Sequence, residues 1–175
     1  MEPSPWLVRW ASLITPGGSV LDVACGSGRH LRWLAARGHL VTGVDRDAAA
    51  AGPLRDIAEI VVSDIENGAW PFAGRQFDAV VVTNYLWRPR LADIVAAVAP
   101  GGLLIYETFG LGQARFGRPS RADFLLSPGE LLQATSGLTT VAYEHGLIDA
   151  PPRVVQRIVA RRAQSPSAQV EPAPL

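Results

Sequence analysis

Ser19-Val20-Leu21-Asp22-Val23-Ala24-Cys25-Gly26-Ser27-Gly28 is the stretch on which the fold turns. Its first half, Ser19 to Ala24, reads as a compact apolar strand with one acid inside it. Cys25 to Gly28 reads as a glycine loop, in which a backbone without Cβ atoms turns sharply and lets a ligand approach closely. Arg29 to Arg37 then reads as a helix, with Leu31, Leu34 and Ala35 on its buried side and Gly38 as its stop. A strand, a glycine turn and a helix in that order open a βαβ unit. The loop itself is compatible with two roles, a plain strand-to-helix turn or a cradle for a ligand.

Working outward, the pattern repeats. Leu40 to Val44 is the second strand, Ala48 to Arg55 a weak helix broken at Gly52-Pro53, and Ile57 to Val62 the third strand, ending at Ser63-Asp64. Phe77 to Thr83 is apolar on both faces around Val80-Val81-Val82, as expected of a parallel strand covered on each side by helices. Leu91 to Ala99 reads as a helix and Leu103 to Thr108 as the fifth strand, with Pro100-Gly101-Gly102 as the turn between them. The stretch 109–127 has little periodicity and many Gly, Arg and Ser residues. It reads as a long loop of the kind that usually carries function. Ser127-Pro128-Gly129-Glu130 starts a helix running from Leu131 to Thr135, and Thr139 to Glu144 and Val154 to Ala160 are two final strands. Upstream, Ser4-Pro5 opens an amphipathic helix over 4–14, with Trp6, Leu7, Trp10, Leu13 and Ile14 at helical spacing. Strands alternating with helices imply an α/β, doubly wound, mostly parallel sheet with a terminal hairpin. One domain over 1–163 and a disordered Ser/Pro/Ala-rich tail over 164–175 are expected.

The composition narrows the chemistry. With 175 residues, 48% hydrophobic and 18% charged, the chain is in the globular range, and no apolar run reaches the roughly 18 residues that a membrane helix needs. Sixteen basic residues balance 16 acidic ones, so no global field draws the chain to nucleic acid or an anionic membrane. Every basic residue is arginine, which excludes a Walker phosphate loop and a Schiff-base lysine. Cys25 is the one cysteine, so there is no disulfide, and the three histidines lie too far apart in sequence to suggest a metal site. A cytoplasmic location is expected, because Met1 to Trp10 lacks the form of a secretory signal.

Two acids sharpen the reading of the loop. Asp45 ends the second strand, where a carboxylate accepts from both hydroxyls of a ribose, and Asp64 ends the third, where it accepts from an exocyclic amine while the Ile65 N–H serves a ring nitrogen. Together with the glycine loop they offer contacts for an adenosine carrying a small charged appendage. A dinucleotide loop would carry a third glycine at position 31, which is Leu. Asp22, inside the first strand, instead suits a ligand with an ammonium group as well as a carboxylate.

These residues resemble the class I S-adenosylmethionine-dependent methyltransferases from Val20 to Arg161. Leu21 to Gly28 resembles the family's first motif, Gly43-Val44-Asp45 its ribose-binding acid, and Ser63-Asp64-Ile65 its adenine contact. Phe77 to Val82 and Ala99 to Leu104 resemble the fourth strand and the approach to the fifth. Thr83 to Leu86, Tyr106 to Phe109 and Arg115 to Pro119 resemble more closely a group of small bacterial methyltransferases, some loosely labelled tellurite-resistance-like. The resemblance implies a Rossmann-like seven-stranded sheet of order 3-2-1-4-5-7-6, with the seventh strand antiparallel. It implies S-adenosyl-L-methionine as cofactor, bound by Asp22, Ala24, Gly26, Gly28, Asp45, Arg46, Asp64, Ile65 and Asn84, and methyl transfer to a nucleophile; the local arginine excess makes a small, anionic metabolite the expected acceptor.

Candidate catalytic residues are Asn84 and Tyr85, which follow the fourth strand, and Glu107, at the end of the fifth, as base or substrate clamp. Asn84 as a turn residue and Tyr85 as a packed aromatic is the competing reading. Tyr85, Arg115, Arg118 and His145 are the substrate candidates. Arg88, Arg90, Arg115, Arg118 and Arg121 either hold an anion bidentately or belong to a solvated loop. Likewise Trp6, Trp10, Trp70 and Trp87 either roof a pocket or belong to the core. RNA methylation is disfavoured by the lack of a basic surface, and a nonenzymatic cofactor-binding module is the alternative from another class.

Overall fold

The computed structural model describes residues 2–164. The strands are β1 (Ser19–Val23), β2 (Leu40–Asp45), β3 (Glu59–Val62), β4 (Phe77–Thr83), β5 (Val98–Phe109), β6 (Thr139–Asp149) and β7 (Pro152–Arg161). They form one seven-stranded sheet of order β3-β2-β1-β4-β5-β7-β6. Pairs β1/β2, β1/β4, β2/β3 and β4/β5 are parallel; β5/β7 and β6/β7 are antiparallel. The helices are α1 (Pro5–Trp10), α2 (Arg29–Ala35), α3 (Ala48–Ala51), α4 (Leu91–Ala96) and α5 (Glu130–Ala134).

Alternation along the central strands divides the core into two layers. Ala79 and Val81 of β4, with Val20, Leu103 and Ile105, meet Trp6 and Leu7 of α1, Leu31 and Leu34 of α2 and Ala51 of α3. Val80 and Val82, with Leu21, Val23, Leu104 and Tyr106, meet Ile94 of α4 and Leu131 of α5. Because every central strand is covered twice, both side-chain parities are apolar. Trp6 and Trp10 pack edge to face, 5.6 Å apart, so these tryptophans belong to the α1 layer and not to a pocket roof.

Several elements differ from the sequence reading. The N-terminal helix stops at Trp10 and tightens into a 3₁₀ turn over Ala11–Leu13. The third helix is one turn, followed by a 3₁₀ turn at Gly52–Leu54, because Asp47 caps it at one end and Pro53 ends it at the other. Pro100-Gly101-Gly102 is not a turn between helix and strand: it lies inside β5, at the irregularity where the register against β4 shifts. The terminal hairpin is longer than its apolar pattern, with His145 to Asp149 pairing Gln156 to Pro152. Of the expected disordered tail, Gln164 is described and lies beside Gly101, while 165–175 lie outside the described residues.

The stretch 109–127 is anchored, not loose. It contains 3₁₀ turns at Gln113–Arg115 and Ala122–Phe124 and a bridge between Gly110 and Leu126. Buried Gln113 accepts from the Val154 N–H through its side-chain oxygen, at 2.9 Å, and donates to the Arg118 carbonyl.

Candidate active site

The site lies beyond the carboxyl ends of the parallel strands, where β1 separates β2 from β4. Gly28 takes φ +74° at the head of α2, and a Cβ there would stand 2.3 Å from Leu54 Cδ1, so the loop must be glycine to let α2 and the Leu54 turn close together. Gly26, at φ +52°, has nothing within 4 Å of a built Cβ, so its side faces open space. Its N–H donates to Asp45 Oδ2 at 2.7 Å, and the Asp47 N–H donates to Asp45 Oδ1 at 2.9 Å. Asp45 therefore braces the glycine loop against the end of β2. A carboxylate has about four acceptor positions, so capacity remains for a ligand.

A cleft of about 200 Å³ opens here, lined by Ala24, Val44, Asp45, Arg46, Ser63, Asp64, Ile65, Glu66 and Tyr85. It unites five of the expected cofactor residues: Ala24, Asp45, Arg46, Asp64 and Ile65. Ala24 itself is held at φ +56°, an uncommon conformation for a residue with a side chain. Asp64 is turned on its own backbone, with Oδ1 accepting from the Glu66 N–H at 3.0 Å and Oδ2 from the Asn67 side chain at 2.9 Å. These bonds, led by the one from Asn67, hold its carboxyl below the usual carboxylate range. Arg90 fixes the same turn by donating from Nε to the Ile65 carbonyl at 2.7 Å and from Nη2 to the Gly68 carbonyl.

Asp22, Gly26, Gly28 and Asn84 do not line this cleft. Asp22 is buried, and its Oδ2 has no hydrogen-bond partner among the described residues; His30 Nδ1 stands 3.5 Å away. The thiol of Cys25 is pushed up to about 12, first by burial and then by Asp22 and Asp45, which removes it as a nucleophile.

A second cleft, of about 280 Å³, adjoins the first and shares Glu66 and Tyr85 with it; Asn84, Leu86, Thr108, Phe109, Pro119 and Phe124 complete its lining. Asn84, at φ +58°, and Tyr85 form the sharp turn after β4. The turn is held by the Asn84 N–H donating to the Glu107 carbonyl at 2.9 Å and the Tyr106 hydroxyl donating to the Tyr85 carbonyl at 2.8 Å. Asn84 thus makes the turn and also lines the second cleft. Tyr85 Oη is buried without a hydrogen-bond partner among the described residues, and burial, followed by the charge of Glu66, raises its phenol well above the usual tyrosine range. It is a neutral donor awaiting an acceptor.

Glu107 and the arginines correct the sequence reading. Glu107 is buried, lines neither cleft, and accepts from Ser4 Oγ at 2.8 Å and from Arg157 Nη1 at 3.1 Å, so it holds the N-terminal segment. Arg115 and Arg118 are exposed and line neither cleft; Arg115 packs over Phe116. Arg88 is fixed by Glu130 and the carbonyls of Asp123 and Leu125, and Arg121 pairs with Asp123. His145 is exposed beside Gly110 on the outer hairpin and lines neither cleft. The expected anion clamp is absent because these guanidinium groups either have carboxylate and carbonyl partners elsewhere or face solvent. Glu66, Leu86, Thr108, Phe109, Pro119 and Phe124 were not among the candidate site residues, although Leu86, Thr108, Phe109 and Pro119 lie in the stretches that carry the family resemblance and Glu66 directly follows Ile65.

The sheet order, the glycine turn after β1 and the acids after β2 and β3 together define the architecture of the class I S-adenosylmethionine-dependent methyltransferases. Residues 20–102, a little under half of the chain, match the protein family described as "Methyltransferase domain". It is 30% identical over 104 residues to a demethylmenaquinone methyltransferase of Tropheryma whipplei (strain Twist), covering 55% of this chain and 44% of that protein. The chain thus spans less than half the length of the curated relative. Among solved structures, TehB from Haemophilus influenzae superposes with a TM-score of 0.72 at 20% identity, covering 91% of this chain and 62% of that one. A SAM-dependent methyltransferase from Methanosarcina mazei gives 0.70 at 15% identity, covering 94% and 100%. At these identities the structural likeness concerns the fold.

Proposed function

We propose that the protein transfers a methyl group from S-adenosylmethionine to a small-molecule acceptor. The observation that carries this reading is the pair of adjoining clefts: one lined by the strand-end acids Asp45 and Asp64, the other by a turn and a loop, with Tyr85 and Glu66 common to both. The residues fit the cofactor. Asp22 Oδ2 is a buried acceptor without a partner, suited to an ammonium group, and Asp45 has acceptor capacity left for ribose hydroxyls. When bound, S-adenosylmethionine supplies a methyl group on a sulfonium, displaced at carbon with a thioether as leaving group.

The chain's own share is positioning and exclusion of water. The Tyr85 phenol stays protonated and is available to donate to an acceptor oxygen or nitrogen, while Asn84 offers an amide at the same rim. The acceptor cleft has no arginine, so the reading is of a small molecule without the anionic handle that the sequence suggested. The test is calorimetric titration with S-adenosylhomocysteine, followed by transfer of labelled methyl from S-adenosylmethionine into an RNase-treated metabolite extract. Tight binding and label in a small molecule are expected. Failure to bind S-adenosylhomocysteine, or label appearing only in untreated RNA, would reject the reading.

A further inference from the structure

Resting on the methyltransferase reading, we propose that the acceptor is an uncharged, one- or two-ring aromatic molecule held in the cleft between Tyr85, Phe109 and Phe124. Three aromatic side chains, with Leu86 and Pro119, make most of the lining, and Asn84 and Thr108 are its uncharged polar groups. Flat apolar walls with a few fixed polar groups favour a flat ligand, since ring faces and edges pack against one another beyond simple area burial.

The charges decide against an acid. Glu66 and Tyr85 are the only ionisable side chains of the lining, and Tyr85 stays neutral. A carboxylate or phosphate entering here would lose its water, meet no cationic side chain in the lining and face Glu66. The nearby arginines do not relieve this: Arg88 is held by Glu130, Arg90 by Asp93 and the 65–68 turn, and Arg121 by Asp123. At about 280 Å³ the cleft is at the small end of ligand sites, which limits the acceptor to a few rings. Tyr85 Oη, buried and unpartnered, is the donor that an acceptor hydroxyl, carbonyl or ring nitrogen would satisfy.

The experiment compares 2-naphthol with 6-hydroxy-2-naphthoate, equal in ring system and differing by one carboxylate. Each is titrated near neutral pH by ligand-observed NMR against the full chain saturated with S-adenosylhomocysteine. The neutral probe is expected to bind at least about tenfold more tightly. Phe124→Ala should weaken the neutral probe by about tenfold and leave S-adenosylhomocysteine affinity unchanged. Glu66→Gln, which removes only a charge, should narrow the preference by strengthening the naphthoate. Equal or tighter binding of the naphthoate, or binding of neither probe to a protein that binds S-adenosylhomocysteine, would overturn the acceptor assignment alone. Loss of S-adenosylhomocysteine binding in the unmodified protein would instead overturn the methyltransferase reading, and the acceptor assignment with it.

Discussion

Asp45→Ala separates two functions that one carboxylate combines. In the protein alone, Asp45 accepts from the Gly26 and Asp47 N–H groups at 2.7 and 2.9 Å. The Asp47 group is exposed, so water replaces the lost acceptor there, but the Gly26 group is half-buried. Losing that one bond should cost about 1 to 2 kcal/mol of stability. On the proposed reading the same carboxylate would also accept from a ribose, and losing those charge-assisted bonds should cost a further ~2 to 3 kcal/mol of affinity. That corresponds to about 30- to 150-fold in Kd for S-adenosylhomocysteine. Urea unfolding measures the first loss and calorimetry on the folded variant the second. Asp45→Asn, which keeps an acceptor oxygen and loses the charge, should fall between wild type and Asp45→Ala in both. A folded Asp45→Ala protein whose affinity lies within about threefold of wild type would refute the reasoning, since its stability change would then mark Asp45 as a brace of the glycine loop and nothing more.

Gly28→Ala should lose about 2 to 4 kcal/mol in urea unfolding, because φ +74° and the 2.3 Å approach to Leu54 act together, whereas Gly26→Ala meets no atom and should lose only about 1 to 2 kcal/mol. Arg115→Ala combined with Arg118→Ala should leave stability within about 0.5 kcal/mol and S-adenosylhomocysteine affinity unchanged, as neither residue lines a cleft; a clear loss of methyl transfer would restore the anion clamp. Hydrogen bonding from Arg157, foremost, holds the Glu144 carboxyl below its ordinary value. Its contribution is therefore present above the unfolded value of about 4.3 and lost as pH falls through the lower folded value. Urea midpoints of wild type and Glu144→Gln should differ near pH 6 and converge near pH 3, and a gap that persists in acid would contradict the assignment.

The parts of the fold legible in the sequence are those where local pattern and tertiary environment agree. Phe77–Thr83 is read residue for residue, because a strand covered on both faces needs an unbroken apolar run without glycine or proline. The hairpin is under-read because its outer strand, His145 to Asp149, is mostly exposed and lacks alternation; pairing, not burial, makes it a strand. At the site, Asp45 and Asp64 are legible because a strand end fixes where a carboxylate goes. The acceptor cleft is not, since Leu86, Phe109, Pro119 and Phe124 converge only after Gln113 and Arg88 have tied the 109–127 stretch down. The arginines are misread for a related reason: a local excess of charge is visible in sequence, but the partner is not. Arg88's carboxylate comes from α5, far along the chain.

The same argument explains why Glu107 differs from the acids it accompanies. Ser4 caps α1 by accepting from the Trp6 N–H at 3.1 Å, donates through Oγ to Glu107, and donates its own N–H to His30 Nε2 at 3.2 Å. The other nitrogen of the ring, Nδ1, faces Asp22. A line of hydrogen bonds therefore runs from half-buried Arg157 through buried Glu107 and Ser4 to buried His30, whose ring stands 3.5 Å from Asp22. Removing one member of a buried pair in such a line costs about 3 to 5 kcal/mol, because the other charge is left unpaired. A group held that firmly is poorly suited to take a proton in catalysis. Acids at this site consequently divide by burial and charge pairing: Glu107 is buried against the half-buried Arg157 and a serine, whereas Asp45 stands at the cleft wall and accepts only from backbone N–H groups. Residues before position 20, outside the matched methyltransferase domain, supply the serine on which that division depends.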